Sequence, residues 1–293
     1  MGESQRLSPA RPLSLLEDCN SFAIGGTVSP MAGCIECFCA RSIPPDDCRP
    51  RPTPRDIIFS SRTRRSFASA RDGNAAMILI GRNRSPFSRR VAVSLRVLGF
   101  DYEHRPFTTW SNFSEVRKVN PVGRVPALIL DNGETLFDSG AILDYLDTLV
   151  GPERALVPAR EPERHDTLRI IACAMGALEK VVAALYAQTL YPPEKVHQPW
   201  VDHNIGQARS GLQWLDNLPE GRWFANDKLS QAEITTVIVL DFTQIVLPEL
   251  LEGNPYLRLE RLRNKCEPMP AFRDTFPGDA IDQSSPTLPT PAP

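Results

Sequence analysis

The sequence predicts an α/β domain over 77–152, then an all-α helical bundle domain over 160–276, with a disordered leader before them. Three observations carry this reading. Over 77–152, short apolar runs alternate with segments of helical period. Over 160–276, apolar residues recur at spacings of three and four. The composition changes abruptly at residue 77, where prolines and serines give way to the first strand-like run.

The α/β elements follow in order. Met77-Ile78-Leu79-Ile80 is a short β-branched and apolar run and reads as a strand. Ser85-Pro86-Phe87 places a capping residue before a proline at the first helical position. The helix it opens carries Val91, Leu95 and Leu98 on one face and stops at Gly99. A strand follows over 102–105 and a short helix over 112–119. Strands over 127–131 and 135–137 flank the turn Asp131-Asn132-Gly133 as a hairpin. Ser139 reads as the cap of a third helix ending near Val150. The order βαβ–α–ββα is the thioredoxin-like arrangement.

The second half reads as helices. Leu168, Ile171, Met175, Leu178, Val182 and Leu185 form a stripe expected to pack against a neighbouring helix. Ile205, Ala208, Leu212 and Leu215 repeat the pattern, and Tyr191-Pro192-Pro193 turns the chain between them. Ser230-Gln231-Ala232-Glu233 is a capping box, with Leu229 and Ile234 placed as its hydrophobic staple. It opens the most apolar helix of the chain. The closing segment, 277–293, is rich in Pro, Ser and Thr and reads as a disordered tail.

Residues 1–76 hold eight Pro and ten Ser, no His and no Lys, and no sustained period. Ten Arg against eight acids give them a net charge of +2, so the remainder carries −4. They lack the apolar core of a signal peptide and are too acidic for a transit peptide. Either Met77 is the true start or the leader is a disordered arm. Five of the seven Cys lie in the leader, with Cys34, Cys37 and Cys39 closely spaced. No His or second Cys pair stands at finger spacing, so no metal site is assigned. Cys173 and Cys266 read as small buried hydrophobes, and the absence of a disulfide framework fits a cytoplasmic protein. A net charge of −2 gives no pull toward nucleic acid or an anionic membrane. No run reaches the length of a membrane span, the nearest, 234–251, being broken by Asp241 and Pro248.

Function concentrates in Asn120-Pro121-Val122-Gly123-Arg124-Val125-Pro126-Ala127-Leu128 and in Asp138-Ser139. Pro126 lacks an N–H, so it is expected at the start of an edge strand, with the backbone of Val125 open to a ligand. Asp138-Ser139 ends a strand and opens a helix, bringing an acid, a hydroxyl and free N–H groups together. An open peptide edge beside a helix N-terminus suits a small peptide carrying carboxylates.

Four features in order, namely Ser85-Pro86-Phe87-Ser88-Arg89-Arg90, the 120–128 stretch, Asp138-Ser139 and the Ser230 capping box, resemble the cytosolic glutathione S-transferase family. The resemblance covers about 77–276 and is greatest to the serine-type members with a Ser-Pro-Phe motif. It implies a thioredoxin-like domain before a helical one, a homodimer, and Pro126 as a cis proline. It implies no bound cofactor, with glutathione as co-substrate beside a small electrophile. Ser85 would donate to the glutathione thiolate, whose free pKa lies near 8.5. Val125 would pair with the cysteinyl backbone, Asp138 and Ser139 would receive the γ-glutamyl end, and Arg124 would meet the glycyl carboxylate. Ser85, Asp138 and Ser139 are equally served by capping roles, and Arg124 by a solvated one. Pro126 and Ser230 are structural positions. Arg89 and Arg90 read as surface charges, and Tyr186, Tyr191 and Trp200 as surroundings of the electrophile. No Cys stands at the Ser85 position, so the thiol-disulfide reductase branch does not fit. The alternative function is a non-catalytic relative that binds glutathione or a protein.

Overall fold

The structure, a computed structural model, describes residues 77–277 except 220, 222, 225, 226, 254 and 255. The expectations for 1–76, and for the tail beyond Pro277, lie outside the described residues.

The first part is β1 (Met77–Ile80), α1 (Pro86–Leu98), β2 (Tyr102–Arg105), α2 (Phe113–Val119), β3 (Ala127–Ile129), β4 (Thr135–Phe137) and α3 (Ser139–Val150). The four strands form one sheet in the order β2-β1-β3-β4. β1 runs parallel to β2 and antiparallel to β3, and β3 antiparallel to β4. This is the thioredoxin-like arrangement. Local chemistry sets the boundaries. Gly99 takes the left-handed conformation at φ 77° that ends α1, and Phe100 returns its N–H to Leu95. Gly133, at φ 84°, lets the 131–133 turn close with Gly133 donating to the Leu130 carbonyl.

One expectation fails in the sheet. Pro126 was expected at the start of an edge strand, but β3 is an interior strand with β1 and β4 on either side. Pro126 stands just ahead of the ladder, so its missing N–H costs the sheet no bond.

The helical part is α4 (Glu163–Thr189), α5 (Gln198–Asp216), α6 (Gln231–Val246), α7 (Leu257–Cys266) and α8 (Pro270–Arg273). α6 begins with a full capping box. The Ser230 N–H donates to Glu233 Oε2 at 2.8 Å, and Ala232 N donates to Ser230 Oγ at 3.2 Å. Burial is nearly continuous along this helix, as its composition predicts. Its Ile234, Val237 and Ile238 share one core with Leu79, Leu95, Leu128 and Ile142 of the sheet part. Each such side chain contributes about 1.5–3 kcal/mol of burial free energy, so the two parts stabilise each other.

The stripe expected on α4 is displaced. Its buried face is Thr167, Ile170, Ala174, Ala177, Leu178, Val181 and Ala184, one position from most of the expected stripe, and Leu168 is exposed. α4 crosses closely against α5 and α6, where small residues admit the partner backbones. The larger side chains are left half-buried beside that contact. Against the expectation that no run reaches the length of a membrane span, α4 is long and apolar enough to cross a membrane by length and composition, a test the core helix of a globular protein passes as well.

Candidate active site

The sheet brings the singled-out segments to one end. Ile80 pairs with Ala127, and Ala127 with Phe137. The chain beyond β1, before β3 and beyond β4 therefore emerges at the same end. So does the chain beyond β2, because Ile80 is also in register with Arg105. Both α1 and α3 start there, so two helix N-termini face one region, and the first-turn N–H groups of each lack intrahelical acceptors.

Ser85 is the N-cap of α1 and is half-buried. Its Oγ accepts from Ser88 N at a long 3.4 Å, a weak cap that leaves the hydroxyl proton to donate elsewhere. Gly81, at φ 131°, allows the tight descent from β1. A Cβ there would lie 2.3 Å from Ser88 Oγ.

The loop before β3 is held by Asn120, which is 3% exposed. Its Nδ2 donates to the Arg124 carbonyl at 2.8 Å and its Oδ1 accepts from Val122 N at 3.0 Å. This clamp presents Val125, whose backbone takes no hydrogen bond from a described residue. The Val125–Pro126 peptide is cis. Asn120 belonged to the motif, but nothing in the sequence marked it as the group that shapes the loop.

Ser85, Arg124 and Val125 line one cleft of about 680 Å³. The facing wall comes from the helices: Val182, Leu185 and Tyr186 of α4, and Phe242, Ile245 and Val246 at the end of α6. Phe107, Thr108 and Trp110 close it from the loop after β2, with Trp110 edge-on to Tyr186 at 6.2 Å between centroids. Of the aromatic residues expected around the electrophile, Tyr186 is there. Tyr191 and Trp200 do not line the cleft; they are 59% and 50% exposed, and Trp200 stacks on His203. The half-buried stripe of α4 explains Val182 and Leu185. Their apolar spacing is visible in the sequence, but spacing alone reads as helix packing.

Asp138 and Ser139 do not line that cleft. They stand at the start of α3, and the cap is Asp138 rather than Ser139. Asp138 Oδ1 accepts from Gly140 N at 2.7 Å, while Ser139 is the first helical residue and 2% exposed. Asp138 holds a positive φ of 70° with ψ at 129°, backbone that is uncommon for a residue other than glycine.

Arg89 and Arg90 are not surface charges. They are 2% and 4% exposed, because the start of α1 is covered by helices of the second part. Arg89 Nη1 donates to Asp241 Oδ2 at 2.7 Å, and Arg263 Nε donates to Asp241 Oδ1 at 2.7 Å. Burial holds Arg89 below its ordinary pKa, against the pull of Asp241. Arg90 donates to Met175 Sδ, and burial pushes it down to about 10, opposed by the charge of Asp138. Both arginines thus tie α1 to the helical part behind Ser85. Among the described residues no group of three His, Cys, Asp or Glu gathers as a metal site.

This thioredoxin-like sheet with its helical partner, and a cleft between them, defines a class of two-part enzyme. Residues 79–154 match the family described as glutathione S-transferase, N-terminal domain. A maleylacetoacetate isomerase of Pseudomonas aeruginosa is 30% identical over 208 residues, covering 68% of this chain and 95% of the relative. A zeta-class glutathione S-transferase of Euphorbia esula is 29% identical over 220 residues, covering 70% and 91%. Among solved structures, a glutathione S-transferase of Methylobacillus flagellatus with GSH bound is 27% identical. It superposes with a TM-score of 0.64 over 69% of this chain and 100% of its own. The chain belongs to the glutathione S-transferase family. It is an enzyme of that type, with glutathione-dependent transferase or isomerase activity.

Proposed function

We propose that the protein conjugates reduced glutathione to small electrophiles, with Ser85 stabilising the thiolate. The observation that carries this is the meeting of Ser85, Arg124 and Val125 on one cleft whose other wall is apolar. In this reading glutathione lies along the end of the sheet. Val125 pairs its backbone N–H and C=O with the cysteinyl residue. Arg124 holds the glycyl carboxylate, and the start of α3, with Asp138 and Ser139, holds the γ-glutamyl end. The thiol then points at Ser85, where a hydroxyl proton and the N-terminus of α1 favour the anion. The chemical step joins sulfur to the electrophilic carbon of a molecule lying on the helical wall. Glutathione is a co-substrate here, the assembly a homodimer and the setting cytoplasmic.

The relatives' names support a second reading at the same site, in which the thiolate adds to a conjugated double bond and is expelled again. That sequence isomerises the substrate without net conjugation, and it needs the same stabilised sulfur.

Retention on glutathione-agarose and turnover of an electrophile panel test the proposal. Ser85→Ala is expected to lower the conjugation rate roughly tenfold or more, the scale of about 1.4 kcal/mol, with a smaller loss of glutathione affinity. Full rate and an unchanged thiolate titration in Ser85→Ala would leave Ser85 as a helix cap alone. Retention with no turnover of any electrophile would favour the binding-only alternative.

A further inference from the structure

The cleft is locally cationic in a chain whose net charge is −2. Among the described residues, Arg82, Arg84 and Arg124 line it, and no aspartate or glutamate does. Arg84 and Arg124 make no ion pair with a described residue; Arg124 lies over the Phe87 ring at 6.0 Å. Guanidinium groups beside low-dielectric walls attract anions strongly, because little solvent screens them. Glutathione, bound as proposed, accounts for Arg124 through its glycyl carboxylate and for Ser85 through its sulfur. It leaves Arg84. That residue immediately precedes Ser85 in the chain and lines the same cleft. Opposite stand Tyr186, Leu185, Phe242 and Ile245, with Trp110 at the rim, a wall fit for an aromatic or long apolar body.

We infer, resting on the glutathione reading above, that the second substrate is an amphiphilic anion: an apolar or aromatic electrophile bearing one carboxylate or sulfonate. Its body lies on the α4–α6 wall and its anionic group on Arg84, which makes Arg84 a specificity-determining residue. For an aryl halide the balance is simple. The thiol proton passes to solvent, sulfur bonds to the ring carbon, the carbon–halogen bond breaks, and halide leaves with its electron pair.

The test is a matched pair, 4-chloro-3-nitrobenzoate and 4-chloro-3-nitrobenzamide, with the same ring and leaving group. Each kcat/KM is divided by the uncatalysed rate constant with glutathione. The wild-type ratio is expected to favour the benzoate by about tenfold or more, mainly through KM, and to shrink as salt rises. Arg84→Gln is expected to bring the ratio near one, and Arg84→Lys to restore part of it. The unreactive 4-methyl-3-nitrobenzoate is expected to inhibit the wild-type protein more strongly than its amide, a measurement that needs no variant. A wild-type ratio at or below one, equal inhibition by acid and amide, or a ratio that survives Arg84→Gln would overturn the inference. So would a shifted thiolate titration in Arg84→Gln with the ratio intact, which would assign Arg84 to the sulfur. Calorimetry separates the two levels. Glutathione binding with turnover of the benzamide alone sinks only the anion inference, whereas absence of glutathione binding sinks the functional reading beneath it.

Discussion

Replacing Asp241 by leucine removes the acceptor that two guanidinium groups share at the junction of α1, α6 and α7. The Arg89 side chain is 3% exposed and that of Asp241 5%, so this pair is cut off from water. Arg263 is 31% exposed and can turn to solvent when its partner is gone. Arg89 cannot. Among the described residues its remaining acceptor is the Phe272 carbonyl at 3.3 Å. Leaving one charge of a buried pair without its partner costs about 3–5 kcal/mol, while a partly exposed contact such as that of Arg263 adds roughly 0–1 kcal/mol. The loss for Asp241→Leu is therefore about 3–5 kcal/mol, or roughly 6–20 °C in thermal midpoint for a domain of this size. Removing both charges as Arg89→Met/Asp241→Leu replaces the pair with apolar volume. It is expected to return within about 1–2 kcal/mol of the wild type. Urea unfolding of the wild type, both single variants and the double variant gives the coupling directly, expected at about 2 kcal/mol or more. Single variants that lose less than 1 kcal/mol, or four proteins whose losses simply add, would refute the argument that buried charge governs this junction.

Asp138→Ala and Ser139→Ala are each expected to weaken glutathione binding by about 1–3 kcal/mol, with native affinity in calorimetry removing them from the site. Asp138→Ala alone is also expected to cost about 1 kcal/mol of stability, since it, and not Ser139, caps α3. Ser85→Cys places a thiol at a helix N-terminus, where it becomes acidic; the variant is expected to gain thiol-transfer activity and lose conjugation, both read as rates over pH 6 to 9. Cys266, its thiol pushed up to about 12 chiefly by burial, stays protonated at pH 8 and is expected to resist alkylation until the protein unfolds. Modification of Cys266 in the native protein, mapped by mass spectrometry, would contradict that burial.

The legible part of the fold rested on short-range physics. A serine before Pro86, the glycine at 99, the Asn132-Gly133 turn and the Ser230–Glu233 box each act within a few residues, so their meaning does not depend on distant chain. The same holds for the order of strands and helices, and hence for the thioredoxin-like domain and the helical one after it. What escaped the sequence was decided by which surfaces cover one another. Arg89 and Asp241 are 152 residues apart, and no local pattern tells that one will neutralise the other. Two adjacent arginines on a helix read as solvated until α6 and α4 are laid over them. The hairpin puts β4 on one side of β3, but only the long-range pairing with β1 on the other places β3 inside the sheet. The apolar stripe of α4 was visible, but its purpose was not. Close helix crossing selected the small residues at 174, 177 and 184 for the contact, and left Val182 and Leu185 to face the cleft. Periodicity gives the spacing of a face. Only the neighbours, brought in by long-range packing, decide whether that face meets protein, solvent or substrate.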